Sequence, residues 1–466
     1  KNLQFRKTSM ASYDFDVIVV GSGAGGSIAA QQIASSGKTV ALIESDRLGG
    51  SLAHSSTIPK LALIQAARTF ESGKRGAKFG LRGVGVGYNY PSVKRWKDSV
   101  VKQTSGHLTP KHYGSKGITV VTGKAYFIDK HTISIGKARL RAKKFVIATG
   151  AQHVVPTIPG LASSGFLTAE DATNLLRPPK SLAILGSGAH ALEFAQLFAT
   201  FGTRVTVLSL GHELLAGEEP EAVALLTKEL KKQYKVQIVP DAKVHLVRGT
   251  GLKKKLTLER SGKTADLTVD QVLVVTEQYA SIDIGLENAG VKYEHTGIHV
   301  NRNLQTTAKH IFAIGDCVDA PHYGHVAAYH GQVAAHNIVH PKHFTTAHAA
   351  LPRVVHTLPE LAAVGATEAE LKEQNISYKS VTLPASLVIK SATSAADAGF
   401  IKLLASTHTN LILGATLLHP DAGDAINELS IAVTNHLTTE QLAHSVHTFG
   451  SWSELIRAGA AKLSKA

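Results

Sequence analysis

One pattern occurs twice in this chain and limits its fold more than any other. DVIVVGSGAGGSIAAQQIASSGKTVALIES starts at Asp16, and SLAILGSGAHALEFAQLFATFGTRVTVLSL starts at Ser181. Each reads as an apolar strand, a glycine-rich turn, a helix and a second apolar strand, the βαβ unit that takes up dinucleotides. Strands this apolar suit a parallel sheet covered on both faces. Further short apolar runs follow each unit: KFVIATG, QVLVVTE and HIFAIGD. From about Pro352 the texture changes. RVVHTLP, FIKLLAS and LILGATLLHP read as strands, and EAELKEQ and AINELSIAVTNHL as helices, with no further nucleotide loop. The expected fold is α/β, with two Rossmann-like dinucleotide-binding domains and a C-terminal α+β domain. The expected boundaries are 10–155 and 276–347 for the first nucleotide domain, 156–275 for the second and 348–466 for the tail.

The two loops differ in detail. Gly21, Gly23 and Gly26 form GxGxxG: the first permits the tight turn, the second lets backbone approach a pyrophosphate, and the third lets helix and strand pack. Phosphates then lie at a helix N-terminus, where free N–H groups and the dipole favour negative charge. Glu44 ends the second strand, where an acid accepts hydrogen bonds from ribose hydroxyls. Gly186, Gly188 and Ala191 form the GxGxxA variant, and Ser209 stands where Glu44 stands in the first unit. Without an acid, a 2′-phosphate is not repelled; His212 is the nearest cationic candidate to hold one. NADH and NADPH both stay open, with NADPH slightly favoured. Two dinucleotide units suggest two dinucleotides, naturally a flavin and a nicotinamide.

Bulk properties exclude several classes. With 466 residues, 44% hydrophobic and 18% charged, the chain is an ordinary globular protein of two or three domains. No apolar run approaches the roughly 18 residues of a membrane span, and no secretory signal is evident. The only methionine is Met10, so residues 1–9 are set aside as a processed leader or expression remnant. Cys317 is the sole cysteine, which rules out an intrachain disulfide and fits a cytoplasmic setting. The charge of +15 is scattered and lacks an RNA-binding or zinc-finger motif, so it reads as a basic exterior without a nucleic-acid partner. The 24 histidines show no metal-ligand spacing, and no metal site is expected.

Taken in order, GSGAGG, IATG, GSGAHALE, TAKHIFAIGDC with GHVAAYHGQVAAHNI, and RVVHTLPELAAVGATEAEL resemble the pyridine nucleotide-disulfide oxidoreductases. That family includes dihydrolipoamide dehydrogenase, glutathione reductase and mercuric reductase. The resemblance runs from about Tyr13 to Leu463. It implies FAD at the first loop, NADPH or NADH at the second, and a homodimer formed through the C-terminal domain. It implies that Thr149 and Gly150 of IATG contribute to the FAD site. It also implies that Asp316 holds the flavin's ribityl chain and that Glu193 lies beside the nicotinamide. Cys317 then reads as a small packing residue.

The chain also departs from the family. Where the family reads GGTCLNVGCVPSK, this sequence reads GGSLAHSSTIPKL. Gly49, Gly50 and Pro59 keep the frame, but Leu52 and Thr57 stand at the cysteine positions. Neither forms a disulfide or a thiolate. Lys60 falls one residue before the family lysine, whose place Leu61 takes. One helical step turns a side chain by about 100°, so the lysine–glutamate pair is expected to be lost and Glu193 to take another partner. Near the end, Phe449 stands at the position of the family's acid/base histidine, Glu454 survives, and His447 reads as structural. EQYAS, from Glu277 to Ser281, replaces GRxPN.

These losses are coherent, since without cysteines a thiol acid/base has no task. The expected activity is that of an FAD-dependent NAD(P)H:acceptor oxidoreductase. Electrons would pass from nicotinamide to flavin and then directly to a small acceptor: a quinone, a metal ion, a dye or oxygen. Thr57 is the candidate lining residue on that flavin face, and Glu193 the candidate on the nicotinamide side. The alternative is a non-catalytic or signalling flavoprotein dimer.

Overall fold

A computed structural model describes residues 13–465 apart from Ser56, Gly83, Val84, His212, Ser261 and Asp397. Residues 1–9 and His212 therefore lie outside the described residues. The chain divides into two units: 1–59, 98–153 and 278–346 form the first, and 60–97, 154–277 and 347–466 the second.

The first unit is built on a parallel sheet. Phe15–Val20 lies between Val40–Glu44 and Ala138–Ile147, with Val19 opposite Leu42 on one side and Val146 on the other. Ile118–Thr122 and Ile311–Ala313 add parallel strands beyond these neighbours. Alternation along FDVIVV divides its residues between two cores. Val17 and Val19 pack with Ile33, Phe312 and Ile338. Ile18 and Val20 pack with Phe127, Phe145 and Leu286. The helices Ala24–Ser35 and Gly324–Val339 cross at a glycine pair. A Cβ on Gly331 would lie 2.5 Å from the Gly25 carbonyl oxygen, so only glycine permits this approach.

The second unit repeats the parallel arrangement with Gln237–Val239, Arg204–Leu208, Ser181–Leu185 and Gln271–Val274. It adds a three-stranded antiparallel meander across 243–269 and a five-stranded antiparallel sheet across 353–419. The sequence reading leaves residues 60–97 inside the first nucleotide domain, but they group with the second unit. The cause is apolar burial: Leu63 and Ala67, on the helix Ile58–Arg75, pack with Phe194 and Phe198 of the helix Ala189–Thr200.

Buried charge also holds this unit together. Lys402 is buried, and its ammonium meets Glu219 at 2.7 Å, Glu368 at 3.0 Å and also Glu221. Arg353 binds Glu218 through two nitrogens, at 2.8 and 3.1 Å. A buried lysine survives only with such partners, and here three carboxylates raise its pKa against the opposing effect of burial.

Candidate nucleotide and electron-transfer sites

In the first unit, backbone sterics select the glycines. Gly21 has φ +100°, and a Cβ there would lie 2.2 Å from the Ala148 carbonyl oxygen. A Cβ on Gly26 would lie 2.0 Å from the Gly21 oxygen. Gly23 has open space within 4 Å of its missing Cβ, the cradle a pyrophosphate needs. Gly50 backs this cradle with φ +56°, its Cβ position 3.0 Å from the Gly23 Cα. Glu44 is nearly buried at the strand end and accepts hydrogen bonds from Ser22 N at 2.9 Å and from the Ser22 hydroxyl. Its other oxygen accepts from Asp46 N at 3.0 Å. The acid thus fixes the loop and retains one lone pair for a ribose.

Thr149, Gly150 and Asp316 leave the carboxyl ends of two adjacent parallel strands, where Ala313 lies opposite Ile147. Ligands of open α/β sheets bind at such ends. Asp316 Oδ1 is buried with no hydrogen-bond partner among the described residues. Burial raises its carboxyl above the usual range, with His322 acting in the opposite direction. A buried acceptor without a donor leaves room for a ligand to supply one, and a flavin's ribityl hydroxyls fit that need. Cys317 is fully buried, and burial pushes its thiol up to about 11, far from thiolate chemistry.

Thr57 lies between the short helix Gly50–His54 and the helix Ile58–Arg75. It and Leu52 face one point: a Cβ on Gly324 would lie 2.7 Å from Leu52 Cδ1 and 3.7 Å from Thr57 Oγ1. Gly324 opens a long helix, so the thiol-free loop packs against a helix N-terminus.

The second unit holds the second loop. Gly186 has φ +153°, and a Cβ there would meet the Val275 carbonyl oxygen at 2.3 Å. Gly188 has open space, and Ala191 is fully buried. Ser209 is also fully buried and donates its hydroxyl to Gly211 O at 2.8 Å. Gln278–Ala280, within the segment EQYAS and belonging to the first unit, is a short strand that pairs antiparallel with Ala151–His153.

The expectation of a lost lysine–glutamate pair is overturned. Lys60 Nζ forms a buried ion pair with Glu193 Oε2, although Lys60 stands one residue early. The shift turns the Cα–Cβ direction, but a four-carbon stem with free torsions brings the ammonium back to the carboxylate. Burial makes that pairing mandatory, since an unpaired charge there is costly. The other Glu193 oxygen accepts His356 N–H at 2.8 Å. Sequence reasoning missed His356, which stands 163 residues from Glu193 with no local signal of the contact. Thr57 and Glu193, the two candidate catalytic residues, belong to different units.

The tail residues are also accounted for. Phe449 is 77% exposed, and Glu454 accepts Gly450 N–H at 2.7 Å, stiffening its own loop. His447 bonds Glu428 through Nε2 at 2.6 Å and Ser445 O through Nδ1 at 2.8 Å. Among the described residues, no cluster of three or more His, Cys, Asp or Glu is placed to hold a metal ion. Among them also, no helix is long and apolar enough to cross a membrane.

Comparison with known proteins agrees with this geometry. The chain is 33% identical to dihydrolipoyl dehydrogenase of Geobacillus stearothermophilus over 451 residues, covering 94% of each chain. It is 29% identical to mercuric reductase of Bacillus cereus, covering 95% of this chain and 70% of that protein. Among solved structures, the HOCl-induced flavoprotein disulfide reductase RclA from Escherichia coli matches with a TM-score of 0.84 at 26% identity, over 96% and 99% of the two chains. The pyridine nucleotide-disulphide oxidoreductase profile matches residues 15–338, and the dimerisation domain of the same proteins matches 351–459. The chain belongs to the pyridine nucleotide-disulphide oxidoreductase family, flavin-dependent oxidoreductases that bind FAD and NAD(P)H.

Proposed function

We propose that this chain is a homodimeric NAD(P)H oxidoreductase that delivers electrons to a small acceptor without a redox-active disulfide. The observation that carries this reading is the pairing of a kept ion pair with an altered loop. Lys60 still meets Glu193, while Leu52 and Thr57 occupy the cysteine positions in a chain whose one cysteine is buried elsewhere.

FAD, when bound, accepts a hydride from a reduced nicotinamide and can return electrons singly or in pairs. The protein's part is positioning. Gly21, Gly23 and Gly26 shape the pyrophosphate cradle, and Glu44 with Ser22 fixes its rim. Asp316, Thr149 and Gly150 stand at the strand ends for the flavin's middle portion. Gly186, Gly188 and Ala191 shape the nicotinamide cradle. Lys60 and the His356 N–H hold the Glu193 carboxylate in one orientation, so it is preorganised rather than recruited. Thr57 and Leu52 line the face that the disulfide occupies in relatives, leaving it to a quinone, a dye, oxygen or a metal ion. RclA has been solved as a Cu(II) complex, which places Cu(II) among the acceptors worth testing here. The retained Lys60–Glu193 pair weighs against the non-catalytic alternative, since a purely structural flavoprotein has no need for a buried charge pair at that position.

The test is anaerobic stopped-flow mixing of the flavin-loaded protein with NADH and with NADPH, followed by acceptor addition. Rapid bleaching and reoxidation by a quinone, Cu(II) or oxygen is the expected result. A flavin that neither nicotinamide reduces overturns the proposal.

A further inference from the structure

One buried and one partly buried ion pair in the second unit flank one partly exposed imidazole. Lys60 and Glu193 have side chains 6% and 2% exposed. Arg68 and Glu360 are 26% and 7% exposed, and Arg68 also donates to Thr357 O at 3.0 Å. His356 touches both pairs. Its backbone N–H donates to Glu193 Oε1 at 2.8 Å, and its Nδ1 lies 3.5 Å from Glu360 Oε1. We propose that His356 is a positioning residue whose charge sets the preference of the nicotinamide site between oxidised and reduced dinucleotide.

This rests on the reading that Glu193 faces the nicotinamide. Two cations and two anions cancel in the cluster, so its net charge is the charge of the imidazole. Hydride loss leaves a positive nicotinamide ring. A protonated His356 opposes that ring by Coulomb repulsion, whereas a neutral one does not. Histidine is the side chain suited to switch near neutrality.

The surrounding groups leave this role to His356. From the helix Ile58–Arg75 come Lys60 and Arg68, both ion-paired. From Ala189–Thr200 comes Glu193, reached through the backbone. Glu360 opens the next strand. Burial raises its carboxyl, but His356 and Arg68 outweigh burial and hold it below the usual range. Its second oxygen accepts Gly423 N–H at 2.7 Å. His419, from the strand Ile412–His419, is fully buried, and burial pushes it down to about 4 while Glu360 pulls upward. It is neutral through the range in which His356 is tested. Because the contact with Glu193 uses backbone, replacing the imidazole alters charge without removing that hydrogen bond.

The experiment measures equilibrium binding to the FAD-loaded protein, by calorimetry, between about pH 5.5 and 8. The ligands are NADP+ and neutral, hydride-inert tetrahydro-NADPH, or the NAD pair if that binds tighter. As pH rises, the ratio of the dissociation constant for NADP+ to that for the tetrahydro form is expected to fall about fivefold, the scale of one charge acting across partly wet protein. His356→Phe should hold the high-pH ratio throughout, and His356→Lys the low-pH ratio. His356→Asn repeats the test should the phenylalanine variant misfold. An unchanged pH slope in the neutral variants overturns the proposal. Glu193→Gln separates the two levels: if it alters neither affinity nor flavin reduction, the placement of Glu193 fails, whereas a loss there with an unchanged histidine slope removes only the role of His356.

Discussion

Two regions of this protein compare in opposite ways with the family pattern read from its sequence. The Lys60–Glu193 pair forms although its lysine stands one residue before the position expected from the resemblance. The cysteine loop keeps its backbone frame, with Gly49 and Gly50 at positive φ, but carries Leu52 and Thr57. A long flexible cation can be re-aimed from a neighbouring position. A disulfide cannot, because its chemistry resides in two sulfur atoms held within about 7 Å at Cα. Charge function tolerates displacement, whereas sulfur function is lost with the atom. The C-terminal domain follows the loop. Phe449 cannot carry a proton, Glu454 now binds its own loop, and His447 is tied to Glu428.

The largest expected effect strikes the kept region. Lys60→Met leaves Glu193 buried and unpaired, which should cost about 3–5 kcal/mol of stability. It should also slow flavin reduction by at least about a hundredfold. Denaturant unfolding and stopped-flow absorbance measure the two effects. A variant with wild-type stability and rate would mean the pair is ornamental, erasing the contrast.

Next comes a histidine in the altered domain. His419 is fully buried, stacks on Trp452 with ring centres 4.5 Å apart, and is pushed down to about 4 chiefly by burial. A folded pKa below the unfolded value near 6.5 means the unfolded chain binds the extra proton first. The stabilisation is therefore complete above about pH 6.5 and is lost as pH falls towards about 4, reaching roughly 3 kcal/mol. His419→Leu should flatten the acid limb of a stability–pH curve by that amount. An unchanged limb would show that this imidazole is not held neutral.

A smaller effect separates ligand from fold in the first unit. Gly23 has room for a Cβ, so Gly23→Ala should leave the apoprotein's melting temperature within a few degrees while weakening FAD at least about tenfold. Gly26→Ala, with its Cβ 2.0 Å from a carbonyl oxygen, should instead disturb folding itself. Loss of stability with retained FAD affinity in Gly23→Ala would remove the cradle.

The smallest expected effect is the most pointed. Restoring Leu52→Cys with Thr57→Cys should yield a reducible disulfide by thiol titration, since both side chains already face Gly324. Turnover of lipoamide or glutathione should stay near background, because position 449 still carries a phenyl ring. Substantial disulfide reductase activity would show that the proton carrier lies elsewhere.

The sequence revealed what local sterics dictate. Both glycine loops were legible because a Cβ at Gly21, Gly26 or Gly186 collides with backbone a few residues or one strand away. The strand stretches VIVV (Val17–Val20) and LAIL (Leu182–Leu185) were legible because burial on both faces leaves no polar position. The meander strand Lys253–Arg260 was not: KKKLTLER reads as a basic cluster, yet Leu256 and Leu258 alternate inward beneath solvated lysines. Lys60 was misread because helical register fixes a Cα–Cβ vector, not the reach of a lysine. Glu193's contact with the backbone at His356 had no sequence signature, because main-chain donors look alike at every residue. Asp316 was named through resemblance, and only the fold shows its oxygen buried without a donor.

The central claim is that electrons enter and leave this protein through flavin alone. Anaerobic titration with NADPH or NADH, counting electrons per bound FAD, tests it most directly. Two electrons should complete the reduction, with loss of the flavin's visible band and no new thiol appearing. Uptake of four electrons, or release of a reactive thiol pair during the titration, would contradict it.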